Sequence, residues 1–218
     1  MEWRITDAII PAATAAVGLF LIGIWIGNDA TDFEIRKPGM DFEGGGPSAG
    51  GAAELAPVAG VPQPGEGVPS NVSGVWPWFR GPDFDGVSRD ATRLIRSWPE
   101  TGPPVLWSVA LGEGYAAPVI SDGCAFVLDY DEETQADTLL CLSLDDGREV
   151  WRNSYPIEVT RNHGMSRTIP AVVGDCVITI GPRCHVACWD KKTGECRWLI
   201  DMVAEYGATV PRWYTGQC

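Results

Sequence analysis

Pro118-Val-Ile-Ser-Asp-Gly-Cys124-Ala-Phe-Val127 returns about 50 residues later as Pro170-Ala-Val-Val-Gly-Asp-Cys176-Val-Ile-Thr179. Each copy runs on to an Asp, a Gly and a closing Trp. The first closes as Cys141-Leu-Ser-Leu-Asp145-Asp-Gly147-Arg-Glu-Val-Trp151, the second as Cys188-Trp-Asp190-Lys-Lys-Thr-Gly194-Glu-Cys-Arg-Trp198. Self-similarity at this period, built from short β-rich runs, signals units that cannot bury their apolar faces alone and must stack on one another.

Within the first copy, Val119-Ile120 and Ala125-Phe-Val-Leu128 are apolar runs rich in β-branched and aromatic residues. Ser121-Asp122-Gly123 between them suits a tight hairpin turn, which requires positive φ. Leu139-Leu-Cys-Leu142 predicts a third strand, Asp145-Asp146-Gly147 a second turn, and Glu149-Val150-Trp151 a fourth strand whose Trp packs between neighbouring sheets. The second copy repeats the plan with Cys176-Val-Ile-Thr-Ile180, Val186-Ala-Cys-Trp189, the turn Lys192-Thr193-Gly194 and Cys196-Arg-Trp198. Four strands and a closing Trp make one blade of a β-propeller. The stretch Asp129 to Asp137 reads as a long surface loop.

The pattern Asp190-x-x-Thr193-Gly194-Glu195-x-x-Trp198 resembles the repeat of the PQQ-like β-propeller family, named after pyrroloquinoline quinone enzymes. Trp76-Pro-Trp-Phe-Arg-Gly-Pro-Asp-Phe-Asp-Gly-Val-Ser88, and Val105-Leu-Trp107 through Gly114-Tyr-Ala-Ala-Pro118, resemble the entry segment of bacterial membrane-anchored members. The resemblance covers 74–218 and makes Asp145, Gly147, Trp151, Asp190, Gly194 and Trp198 repeat positions with a structural role. The expected fold is all-β: a partial propeller of about two to three four-stranded blades, preceded by one transmembrane helix and a disordered linker. Rings of four to eight blades need roughly 160 to 400 residues. The stretch from Trp76 to Cys218 holds an entry segment, two blades and the start of a third, as expected of an N-terminal fragment of a longer propeller.

Ala8 to Gly27 is an uncharged apolar run of the roughly twenty residues that span a bilayer as a helix. Trp3 and Trp25 flank it as interfacial aromatics, Arg4 precedes it, and Asp29, Asp32 and Glu34 follow. That bias predicts a bacterial inner-membrane protein, single-pass, N-terminus inside and propeller periplasmic. The competing reading is a cleaved signal peptide, but its best site, Asn28-Asp29-Ala30, puts a polar Asn where a small residue is needed. Pro38 to Ser73 is dominated by Gly, Pro and Ala and cannot bury enough surface to offset its ordering entropy. The domain reading is therefore 1–7 cytoplasmic, 8–27 transmembrane anchor, 28–73 linker and 74–218 incomplete propeller.

A net charge of −13 and a sequence pI of about 4.5 argue against nucleic acid as a partner, which calls for clustered Lys and Arg. Of seven cysteines, Cys124 matches Cys176 and Cys141 matches Cys188, positions that suit a small buried hydrophobe. Cys184, His185 and Cys188, with Cys218, form the one cluster with a metal flavour. In a regular strand, however, Cys184 and Cys188 lie about 13 Å apart on one face with His185 on the other, so a ligand site requires a turn at Gly181-Pro182-Arg183 or donors from elsewhere, such as His163 and Cys218. The loop holding Arg161, Asn162, His163 and Arg167 has the composition of an anion- or carboxylate-binding turn. His163 has no nucleophile partner at recognisable spacing, so a hydrolytic triad has no support.

Two function classes follow from the resemblance. One is a membrane-tethered, non-catalytic scaffold that binds envelope proteins or other periplasmic partners. The other is a quinoprotein-type dehydrogenase that oxidises alcohols or sugars with pyrroloquinoline quinone and calcium. The chain has no adjacent Cys-Cys pair of the kind such dehydrogenases carry over the cofactor, and no Cys-x-x-Cys-His haem attachment. Asp129, Asp131, Glu132 and Glu133 are oxygen donors of the type calcium takes, although acidic runs in loops are commonly just solvated. The sequence thus favours the scaffold, with no cofactor assigned and no catalytic residue.

Overall fold

The computed structural model describes residues 5–27, 58–112, 114–161, 165 and 168–216. The chain divides into two units, Met1–Ser48 and Ala49–Cys218. In the first unit, helix α1 (Ile5–Gly27) is continuous and starts three residues before the expected span. Its side chains are described without a break only over 12–27, and among the described residues no helix is long and apolar enough to cross a membrane.

The second unit is built from two antiparallel sheets. The first has the strand order β1-β5-β4-β3-β2, with β1 Gln63–Pro64, β2 Val119–Ser121, β3 Cys124–Asp131, β4 Ala136–Ser143 and β5 Glu149–Pro156. The second runs β6-β7-β8-β9, with β6 Ala171–Val173, β7 Cys176–Ile180, β8 His185–Asp190 and β9 Cys196–Asp201. Each contains a four-strand meander in chain order, as the duplicated sequence requires, and β1 adds a fifth strand to the outer edge of the first. A β-bulge falls at the same repeat position in each, between Cys141 and Leu142 and between Cys188 and Trp189. The β2–β3 connection is the expected two-residue turn, with Asp122 and Gly123 both at positive φ.

Period-2 alternation sorts each blade into two faces. Phe126, Leu128, Leu139, Cys141 and Trp151 of the first sheet pack on Val172, Val177, Ala187 and Trp189 of the second, forming the main core. Ala125, Val127, Leu140 and Leu142 line the opposite face of the first blade.

The closing Trp residues explain the repeat signature. Trp107 Nε1 donates to the Leu144 carbonyl at 2.9 Å, and Trp151 Nε1 donates to the Lys191 carbonyl at 3.2 Å. In each case the indole lies on the Gly of the following repeat's turn. A Cβ on Gly147 would stand 2.5 Å from Trp107, and one on Gly194 2.6 Å from Trp151. Both glycines also have positive φ, so steric room and backbone conformation select the same residue. Trp198 occupies the equivalent position in the second blade and is 43% exposed.

Two expectations are corrected by the structure. The linker was expected to be disordered through residue 73. From Val58 it is instead laid along the outer edge of the first blade, Gly60 N donating to Ser154 O and Gly65 N to Val150 O, and by Ser70 it has reached the β2–β3 turn, where Ser70 N donates to Gly123 O. Residues 28–57, including the rest of that linker, lie outside the described residues. The loop expected over Asp129 to Asp137 is mostly strand, because Asp129, Tyr130 and Asp131 pair with Thr138, Asp137 and Ala136. Only 132–135 turn, with Asp131 Oδ1 accepting from the Glu133 and Thr134 N–H groups. After β9, Asp201 caps a short helix α2 (Met202–Tyr206) that ends at left-handed Gly207.

The entry segment sits at the innermost strands. Trp76 exchanges two backbone hydrogen bonds of 2.9 Å with Ile120 of β2, and the Pro77 carbonyl accepts from Val172 N of β6 at 2.7 Å. One dipeptide thereby ties the inner edges of both blades.

Candidate functional site

In an antiparallel meander the β3–β4 and β7–β8 turns and the β5–β6 connection emerge at one end of the sheets, and the Asp-Gly turns at the other. The end carrying the connection holds the polar groups of interest. Asp137, near the start of β4, is fully buried and accepts a 2.7 Å hydrogen bond from Tyr155 Oη of β5. Burial first, then the neighbouring Asp137 charge, holds the Tyr155 phenol well above its ordinary pKa, so it stays a neutral donor. The Tyr155 ring lies 5.6 Å from that of His185, and His185 Nε2 stands 3.6 Å from Asp201 Oδ2. This row of Asp137, Tyr155, His185 and Asp201 crosses from β4 of the first blade to β9 of the second. The tyrosine hydroxyl abuts the Gly181 backbone so closely that a Cβ there would come within 1.8 Å of it. The hydrogen bond joins β4 to β5 within the first blade, and the contact of the Tyr155 and His185 rings is what reaches across to the second.

Above it lies the β5–β6 connection, held from both sides. Tyr130 Oη donates to Ile157 O at 2.8 Å and accepts from Val159 N at 3.2 Å. Tyr214 Oη donates to Thr160 O at 2.8 Å and accepts from Thr160 N at 3.0 Å. Tyr130, Val159 and Met165 form a small satellite core with Ile157 and Tyr214 against it. Thr215 Oγ1 donates to Gly181 O, and Thr215 N donates to Pro182 O at 3.1 Å, which brings the 211–215 segment onto the same rim. Glu132, Glu133, Glu158 and Arg161 project from this scaffolded rim as exposed charged side chains.

Of the residues expected to bind an anion, Arg161 is on this rim; Asn162, His163 and Arg167 lie outside the described residues. Of the metal candidates, Cys184 sits in a turn closed by its own N–H on the Gly181 carbonyl, with φ of 66°, so the turn required at Gly181-Pro182-Arg183 exists. It does not gather the cluster. His185 faces Tyr155 in the interblade core, whereas Cys188, three residues on in β8, points to the opposite face. Burial pushes the Cys184 thiol up, and Cys188 is pushed up to about 12 by burial and then by Cys176. Among the described residues no group of three or more His, Cys, Asp or Glu could hold a metal ion, and Cys218 lies outside them. Asp129 and Asp131 belong to β3, where Asp129 Oδ2 accepts from Gly112 N and Asp131 caps the following turn.

Sequence reading missed Asp137 and Tyr155 as a pair. The available signal was alternation: Trp151, Asn153 and Tyr155 share one face once β5 is carried past Trp151.

The family described as outer membrane protein assembly factor BamB matches residues 86–209. No curated protein matches the chain. Among solved structures, a europium-containing methanol dehydrogenase is 24% identical over 38% of this chain and 14% of its own, with a TM-score of 0.30. The quinohemoprotein alcohol dehydrogenase ADHIIG from Pseudomonas putida HK5 is 20% identical over 47% of this chain and 15% of its own, with a TM-score of 0.35. The chain therefore spans less than one sixth of the length of either dehydrogenase. The family match takes in both complete blades and more than half of the sequence, and the chain belongs to the PQQ-like repeat family described as outer membrane protein assembly factor BamB.

Proposed function

We propose that this protein is a membrane-tethered propeller that acts as a non-catalytic binding scaffold for proteins or other components of the bacterial envelope. The observation that carries this reading is the rim. Its connection is pinned by two tyrosine hydroxyls, each serving as donor and acceptor, while its charged side chains face solvent. A preorganised, exposed, charged edge suits docking of a partner, because little ordering entropy remains to be lost on binding. The family match to an assembly factor agrees with a protein–protein role.

The anchor is part of the same proposal. It rests on the sequence: Ala8 to Gly27 is an uncharged apolar run of about the twenty residues that span a bilayer as a helix. With Arg4 inside, the propeller lies in the periplasm. A periplasm-dependent reporter fused to the C-terminus of the whole chain should be active; activity of a cytoplasm-dependent reporter there would refute the orientation.

Photo-cross-linking tests the scaffold. Probes replacing Glu132 or Arg161 in the membrane-borne protein should each give one discrete adduct, and a probe at Lys192, on the turn at the opposite end of the blade, none. Adducts only from Lys192 would overturn the rim assignment. Stoichiometric retention of pyrroloquinoline quinone in the presence of calcium, with alcohol- or sugar-dependent dye reduction, would overturn the scaffold in favour of a dehydrogenase.

A further inference from the structure

Four cysteines occupy two repeat positions in both blades, and the register places each couple together. In the first blade Cys124 is opposite Ser143 and Cys141 is opposite Phe126. The two cysteines are therefore diagonal neighbours on one face of β3 and β4. In the second blade Cys176 is opposite Asp190 and Cys188 is opposite Ile178, the same diagonal on β7 and β8. Diagonal neighbours in an antiparallel pair lie about 7–8 Å apart at Cα and closer at Cβ. A disulfide needs Cα atoms within about 7 Å, so the gap to be closed is on the order of an ångström.

The β-bulges beside Cys141 and Cys188 lie in the outer ladders, against β5 and β9, and the ladders that join the cysteine strands run without a register shift, so the closure falls to the ordinary right-handed twist of a strand pair. A small-hydrophobe role explains one buried cysteine at each position. It does not by itself explain why both members of the diagonal are sulfur in both copies.

We propose that each blade carries a latent cystine across its two central strands, Cys124–Cys141 and Cys176–Cys188, closed by a disulfide-bearing oxidant. The step is two successive thiol–disulfide exchanges. One cysteine attacks the oxidant's disulfide, forms a mixed disulfide and expels one thiol; its partner then attacks that cysteine's sulfur and expels the second thiol. Two electrons and two protons leave the pair, and the oxidant's disulfide is reduced to two thiols. In the second blade the first attack falls to Cys176, which is half-buried and accepts a 3.0 Å hydrogen bond from Arg197 Nη1, whereas Cys188 is 2% exposed. In the first blade Cys124 and Cys141 are 4% and 1% exposed, with the second sheet packed over them. That bond forms only before the blades dock.

The test uses the intact chain with oxidised glutathione as the probe, followed by quenching, denaturing alkylation and peptide mass mapping. Oxidant added to the folded protein should link Cys176 to Cys188 and leave Cys124 and Cys141 alkylated; oxidant present during refolding should link both pairs. Cys188→Ser should convert the second-blade product into a Cys176–glutathione mixed disulfide, a readout that does not depend on the variant's stability. Full alkylation of all four cysteines under both regimes would overturn the proposal. So would linkages scattered onto Cys184 or Cys196.

Discussion

Substituting Gly194 by Ala tests the interblade dock directly. Gly194 has φ of 74°, and a Cβ built on it falls 2.6 Å from Trp151 Cε3 and 2.7 Å from Cδ2, well inside contact distance. Two costs follow. An L-residue in the left-handed region costs about 1–2 kcal/mol. Forcing the packed indole aside adds the roughly 1–3 kcal/mol of overpacking, since Trp151 is 3% exposed and has no space to enter. The displacement would also strain the Trp151 Nε1 bond to Lys191 O and the Asn153 Nδ2 bond to Gly194 O. Gly174 is the control: it lies in the same blade at φ of 58°, but a Cβ there meets nothing within 4 Å. Urea unfolding followed by tryptophan fluorescence should give a loss of about 2–5 kcal/mol for Gly194→Ala and about 1–2 kcal/mol for Gly174→Ala. Equal losses would mean that backbone strain alone selects glycine, and the docking argument would fail.

Three further outcomes follow from the same contacts. Trp151→Ala should cost about 3–5 kcal/mol and Trp198→Ala about 1 kcal/mol or less, because the second indole is 43% exposed; comparable losses in denaturant would refute the difference in docking. Tyr155→Phe removes the buried donor to Asp137 and should lose about 1–3 kcal/mol with no new cavity, so a neutral result would show that the Asp137–Tyr155 bond contributes nothing to the first blade. Arg197, then the Thr193 and Lys192 N–H groups, hold the Asp190 carboxyl well below its usual range. A depressed folded pKa stabilises above the unfolded value of about 3.9 and loses that contribution as pH falls through the folded one. The gap between wild type and Asp190→Asn, about 1 kcal/mol or less because the pair is partly exposed, should be flat at neutral pH and close in acid; a gap that widens on acidification would reverse the sign.

The blades were legible because their signature residues each answer a local demand. Positive φ at a turn selects Gly, and an aromatic of indole size fills the space beside it, so a turn Gly followed four residues later by Trp reports a packing site without any knowledge of distant contacts. The strand limits were less legible. Asp129, Asp131 and Asp137 read as loop because carboxylates are rare in strands. Yet Asp129 pairs with Gly112, Asp131 caps the next turn and Asp137 bonds Tyr155, so each is satisfied by a partner that local sequence does not display. The candidate site suffered most, since its row joins Asp137 and Tyr155 of one repeat to His185 and Asp201 of the next. Only the stacking of blades brings those four together.

The glycine-rich stretch before the blades shows how one composition can arise from opposite causes. Gly, Pro and Ala without large apolar residues mean, in isolation, a chain with too little to bury. Along the edge of β5 the same composition meets a different requirement, because Gly60, Gly65 and Gly67 donate to carbonyls of that strand at 2.7–3.0 Å. A Cβ on Gly65 would stand 2.0 Å from Glu149 O, so the backbone reaches its partner only where there is no side chain. Pro64 tolerates pairing there because an outermost strand has one side free of the ladder. Composition measures how little such a segment can bury by itself. It is blind to how closely the segment can approach a strand edge already made by something else, and at Val58 to Ser70 that approach decides the structure.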